Sequence, residues 1–171
     1  MRVLLVCLVL GGAACSVRRT DGGSGLVAPQ QAAPAFSAPD QDGKVHTLAE
    51  FAGHPVVLYF YPKDGTPGCT KEACAFRDSW TKLSAHGTVV LGVSLDSVER
   101  HKAFVTEHAL PFSLLSDDGS ISKAYGVSST LGYTSRVTFV IDRKGRVARV
   151  FPDVDPALHV SEVLAVIASL P

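Results

Sequence analysis

Little in this chain draws it towards a charged partner, a membrane span or a bound metal. Its 171 residues hold sixteen basic and sixteen acidic side chains, and that balance leaves no net field to attract nucleic acid or an anionic surface. No apolar run approaches the ~18 residues that a membrane-spanning helix needs. Internal repeats are lacking, and at this length one ordinary domain with short extras remains. Neighbouring carboxylates occur only at Asp117-Asp118, where Gly119 marks a turn. Cysteine is scarce, with four in all, and the six histidines are scattered with none beside the central cysteines, so a zinc site finds no ligand set. His101 and His108 lie seven apart on one helix face and read as solvated side chains.

The first residues, MRVLLVCLVLGGAAC, have the layout of an export signal: a positive start at Arg2, an apolar stretch from Val3 to Leu10, then small residues from Gly11 to Ala14. Cys15 stands where a bacterial lipoprotein signal carries its lipid-bearing cysteine, although Gly12 occupies a place usually held by leucine. Lipidation of Cys15 would anchor the chain in the cell envelope, with Ser16 favouring the outer membrane on its periplasmic side. Cleavage after Ala14 alone would instead release a soluble periplasmic product. The stretch 15–34 is rich in Gly, Pro, Ala and Gln without a periodic apolar face, and reads as a flexible tether. The chain therefore divides into a signal at 1–14, a tether at 15–34 and a folded domain at 35–171.

Within the domain, PVVLYFYP (55–62), TVVLGVSLD (88–96) and RVTFVID (136–142) are apolar with little alternation, as expected of strands covered on both faces. FSLLSD (112–117) is a shorter fourth, and VIDRKGRVARVF (140–151) reads as an antiparallel hairpin turning at Arg-Lys-Gly. Helical patterns between the strands make the fold α/β, a sheet layered with helices. Asp155-Pro156 offers an N-cap and a first-turn proline to a last helix whose apolar stripe is Val160, Val163, Leu164 and Ile167. The helix after the first long strand carries Ala73, Phe76, Trp80 and Leu83 on one face, and Cys69 lies on the same stripe four residues before Ala73. At ~100° per residue, Cys74 is turned about 140° away from Cys69, towards the outer flank. Tyr59, Phe60, Tyr61 and Trp80 read as core aromatics, and Arg143, Lys144, Arg146 and Arg149 as the solvated face of the hairpin.

The pair Cys69 and Cys74 poses the functional question. On an ideal helix their Cα atoms stand roughly 8.7 Å apart, beyond the ~7 Å that a disulfide spans without backbone movement. Either they never bond, or the first turns of the helix unwind when they do. Thr66-Pro67-Gly68 opens the helix, so Cys69 falls in its first turn, where unpaired N–H groups and the helix dipole favour a thiolate. That turn directly follows a buried strand, and loops at strand carboxyl ends are where α/β sheets commonly bind ligands.

The segment FYPKDGTPGCTKEAC resembles the active-site segment of peroxiredoxins of the Q-type, or bacterioferritin-comigratory, group. Pro62, Thr66 and Cys69 meet the pattern Pro-x-x-x-Thr-x-x-Cys, and the second cysteine five positions on matches the placement in that group. The likeness continues through GVSLDSVERHKAF, LPFSLLSD and SRVTFVIDRKG; Gly65 departs from it, where the group often has an acid. The resemblance implies a thioredoxin-like fold, a central mixed sheet flanked by helices, here with an N-terminal extension. It implies that Cys69 is the peroxidatic nucleophile and Cys74 the resolving thiol that closes an intramolecular disulfide. Arg136 would hold the thiolate and the peroxide oxygens, Thr66 would hydrogen-bond the peroxide, and Pro62 would screen the sulfur from water. Hydrogen peroxide and organic hydroperoxides would be the substrates and a thioredoxin-like protein the reductant. The chain would be a monomer and would need no metal or organic cofactor. Two other classes compete. A protein thiol–disulfide oxidoreductase is disfavoured by the four-residue spacer and the Thr-Pro-Gly context. A copper-binding module of the same fold would show CxxxC and a partner histidine.

Overall fold

The computed structural model describes residues 25–171, so the export signal, Cys15 and the first part of the tether lie outside the described residues. In chain order the elements are the hairpin β1 (Ser37–Pro39) and β2 (Val45–Thr47), a 3-10 turn at Leu48–Phe51, β3 (Val56–Phe60), α1 (Pro67–Asp78), α2 (Trp80–Ala85), β4 (Val89–Ser94) and α3 (Val98–His108). There follow β5 (Ser113–Ser116), α4 (Ser120–Tyr125), the small hairpin β6 (Ser129–Thr130) and β7 (Tyr133–Thr134), β8 (Val137–Ile141), β9 (Val147–Phe151) and α5 (His159–Ser169).

Five strands form one mixed sheet in the order β5-β4-β3-β8-β9. The pairs β3–β4 and β4–β5 are parallel, while β3–β8 and β8–β9 are antiparallel. All five residues of β3 are buried because this strand is central and both faces are covered. Val57 and Tyr59 point into a core with Cys69, Phe76, Leu83, Phe112, Val163 and Ile167; Val56, Leu58 and Phe60 point into a second core with Phe36, Ile121, Tyr125 and Phe139. That two-sided burial is why the run shows no alternation. In β4, a Cβ at Gly92 would meet the Tyr59 ring at 2.8 Å. The bare backbone lets Tyr59 lie across β4 and stack on Phe76 of α1, with ring centroids 4.9 Å apart. Burying a phenylalanine as fully as Phe76 stabilises by about 2–3 kcal/mol.

Three boundaries differ from those expected. The tether does not run free to residue 34: Val27 is buried, and the chain from there packs on the domain. Gln30 and Ala33 donate backbone bonds to Val147 and Gly145, Val147 donates back to Gln31, and the Tyr125 hydroxyl donates to the Pro34 carbonyl. The three backbone bonds use the free edge beside β9, which needs no periodic apolar side chains and so leaves no mark in composition. The stripe Ala73 to Leu83 is shared by two helices, because Ser79 interrupts the run between α1 and α2. The last helix starts at His159. Asp155 accepts from the Ala157 N–H and closes only a turn before it. The stripe of α5 is as expected, with Val160, Val163 and Ile167 buried.

Candidate active site

Cys69 is placed by the way α1 begins. Pro67 occupies the first turn and Thr66, in extended conformation, the cap position. The Thr66 hydroxyl does not cap the helix; it turns back and donates to the Lys63 carbonyl at 3.1 Å. Cys69 then faces the sheet with 1 % of its surface exposed, whereas Cys74 lies half-buried on another flank, and both are free thiols.

Arg136, immediately before β8, reaches this turn from the strand next to β3. Its Nη2 donates to Cys69 Sγ at 3.2 Å and its Nη1 to Glu72 Oε2. Gly68 leaves room for the approach, since a Cβ there would stand 3.3 Å from Nη2, a tight contact that the guanidinium would have to ease by a few tenths of an ångström. Thr134 donates to the Tyr61 carbonyl at 2.7 Å, which ties the segment leading to Arg136 to the start of the catalytic loop. Burial works against the charge of Arg136, but Glu72 and Cys69 outweigh it and hold the guanidinium firmly protonated. Of the residues named from the sequence, the structure brings Cys69 and Arg136 into contact. Pro62 and Thr66 sit on the loop between β3 and α1, and Cys74 stands apart.

Glu72 escaped the sequence reading. It lies three residues after Cys69 on the same helix face, fully buried, with Oε1 lacking a partner among the described residues. The available signal was an acid on an otherwise apolar stripe. Burial pushes its carboxyl up to about 7, against the pull of Arg136. His159 is buried nearby with Nε2 2.8 Å from Thr138 Oγ1, and burial together with the Arg136 charge pushes it down to about 4.

These two groups oppose each other in pH dependence. Between 4.5 and about 7 the folded chain keeps a proton on Glu72 that the unfolded chain has lost, so this group makes stability fall as pH rises. Between about 4 and 6.5 the unfolded chain binds a proton on His159 that the folded chain lacks, so this group makes stability rise. Glu72→Gln removes the first and leaves the second. Denaturant unfolding of the reduced proteins should show the variant gaining about 2 kcal/mol on the wild type between about pH 5 and pH 7. Parallel profiles would mean that Glu72 is ionised throughout.

The loop ahead of Cys69 is held from its other side. Asp64 accepts from the Tyr61 hydroxyl at 2.7 Å and pairs with His101 Nδ1 at 2.8 Å, while its N–H donates to Asp96 Oδ2 at 2.8 Å. His101 is therefore not solvated: it is fully buried on the inner face of α3, its other ring nitrogen 3.3 Å from the Leu115 carbonyl. His108 is half-buried with its ring against Phe104. A roomy hollow of about 330 Å³ lies against the β8–β9 turn, lined by Leu48, Phe51, Ile141 and Lys144, away from Cys69. Cavity size does not mark this site.

Residues 29–150 match the model of the AhpC/TSA family. A chloroplastic peroxiredoxin Q of Populus jackii is 49% identical over 144 residues, covering 82% of this chain and 68% of the relative. A putative peroxiredoxin bcp of Coxiella burnetii is 47% identical over 142 residues, covering 78% of this chain and 94% of the relative. Among solved structures, the peroxidoxin BcpB of Mycobacterium tuberculosis superposes with a TM-score of 0.78 at 33% identity, covering 84% of this chain and 97% of that one. Peroxiredoxin Q of Xanthomonas campestris does so with a TM-score of 0.73 at 34% identity, covering 78% and 90%. A buried cysteine at a helix start under an arginine, on a thioredoxin-like mixed sheet, thus comes with matching relatives: the chain belongs to the AhpC/TSA family, in its peroxiredoxin Q and bacterioferritin-comigratory group, and is a thiol peroxidase.

Proposed function

We propose that this chain reduces hydrogen peroxide and organic hydroperoxides through Cys69, closes a Cys69–Cys74 disulfide, and is restored by a thioredoxin-like protein. The sequence around Cys15 adds that it works from a lipid anchor in the bacterial cell envelope, in the outer membrane facing the periplasm. The observation that carries the chemistry is the Arg136 guanidinium against the buried Cys69 sulfur in the first turn of α1. The sulfur attacks one peroxide oxygen, the O–O bond breaks, and the leaving oxygen takes a proton to depart as water or alcohol. Cys69 is left as a sulfenic acid. Cys74 then attacks that sulfur; the S–S bond forms, the S–O bond breaks, and hydroxide leaves to become water. An outside dithiol reduces the disulfide and is itself oxidised.

A protein disulfide as substrate fits less well, because the nucleophile is 1 % exposed and its mate is on another flank. In the test, reduced protein receives one equivalent of peroxide and is weighed intact. Wild type should lose two hydrogens and hold a Cys69–Cys74 bond. Cys74→Ser should consume one equivalent and stall, trapped at Cys69 by a dimedone-type reagent. Normal turnover of Cys74→Ser with the same reductant would remove Cys74 from the mechanism.

A further inference from the structure

The contacts along α1 differ in kind from one end to the other. At its start Pro67 is exposed, Gly68 has no side chain to pack, and the Thr66 hydroxyl points elsewhere. This half is held inward by the small buried side chains of Cys69 and Ala73 and by Arg136, which bonds both Cys69 and Glu72. Oxidation of a Cys69 thiolate to a neutral sulfenic acid weakens the Arg136–Cys69 contact, since the guanidinium then faces a neutral acceptor in place of an anion. Past Cys74 the contacts are of a sort that oxidation does not touch. Phe76 is fully buried against Tyr59 and Phe112. Arg77, three residues after Cys74, donates from Nη1 to the carbonyl of His108 at 2.8 Å, at the end of α3, and from Nε to Asp78 at 2.9 Å. Upstream, Asp64 fixes the catalytic loop to Asp96 and His101.

We propose that Arg77 is a positioning residue for the resolving step: its bond to the end of α3 halts the unwinding of α1 just past Cys74 and keeps that thiol where the released Cys69 can reach it. Cys69 is then the moving partner, in a segment pinned at Asp64 and at Arg77. A segment held at both ends presents Cys74 at a higher effective concentration than a longer one released at its far end. Arg77 is also within electrostatic reach of Cys74: Asp78 first, then Cys74, draw its guanidinium above the ordinary value.

This inference rests on the Cys69–Cys74 bond proposed above, and the test separates the two. Reduced full-length wild type, Arg77→Gln and Arg77→Lys are mixed rapidly with hydrogen peroxide, and Cys69 oxidation and disulfide closure are followed as separate phases. Arg77→Gln should oxidise at a rate within about twofold of wild type and close roughly threefold or more slowly, with Arg77→Lys recovering most of the loss because it keeps a cationic donor. Amide exchange of oxidised wild type should lose protection over residues 67–74 and keep it over 76–85; in oxidised Arg77→Gln the loss should spread past 77. Unchanged closure in Arg77→Gln, or loss spread evenly through α1 in wild type, overturns the role of Arg77 alone. Absence of any Cys69–Cys74 bond in oxidised wild type overturns the disulfide mechanism, and this inference with it.

Discussion

Cys69→Ser is expected to reduce peroxide consumption to the uncatalysed background, in the first turnover as in all later ones. A serine hydroxyl stays protonated at neutral pH, and its oxygen has no oxidised state corresponding to a sulfenic acid. The substitution leaves the surroundings in place. Arg136 keeps its pairing with Glu72, and the site is walled by Tyr59, Ala73 and Phe76, none of which depends on the sulfur. Cys74 cannot take over, because it lies half-buried on another flank while the guanidinium contacts Cys69. The loss should exceed about a thousandfold in rate, as removal of a nucleophile does in covalent enzymes. Peroxide remaining after mixing with a known amount of reduced variant is the measurement. If one equivalent still disappears per chain, the nucleophile has been misassigned.

The parts of this molecule that were legible in its sequence are those where one residue type has one physical use. Uninterrupted runs such as VVLYF announce a strand covered on both sides, and Cys69 after Thr-Pro-Gly announces a thiol at a helix start. Arg136 was placed by the resemblance of its segment to the peroxiredoxin pattern, and its contact with Sγ gives a charge at the head of an apolar strand its physical reason. What stayed hidden are residues whose partners are remote in the chain. His101 looked solvated because Asp64, 37 positions away, and the Leu115 carbonyl, 14 away, satisfy its ring only once α3 packs on the sheet. Glu72 was passed over because its partner is 64 positions on. Residues 30–33 looked like linker because their bonds are made by backbone, which composition does not report.

Arg136→Met should lower the rate of Cys69 oxidation by peroxide by about 10²–10³-fold, the usual cost of removing one donor aimed at developing negative charge. The fold should survive. Glu72 loses the guanidinium that draws its carboxyl down, burial then acts unopposed, and the core is left with a neutral acid instead of an unpaired charge. Arg136→Lys should rescue little, because one ammonium cannot place separate donors on Cys69 Sγ and Glu72 Oε2 as the two guanidinium nitrogens do. A second electrophile separates two roles for the arginine. If it acts only on the sulfur, alkylation by iodoacetamide and oxidation by peroxide should slow by one common factor. If it also holds the peroxide oxygens as the O–O bond breaks, oxidation should slow far more than alkylation, by at least about tenfold. The second result is expected, because the guanidinium lies at the mouth of the site with 17 % of its side chain exposed, where an arriving peroxide meets it beside the sulfur. A common factor would confine Arg136 to preparing the nucleophile and leave the peroxide to be oriented by the loop that carries Thr66.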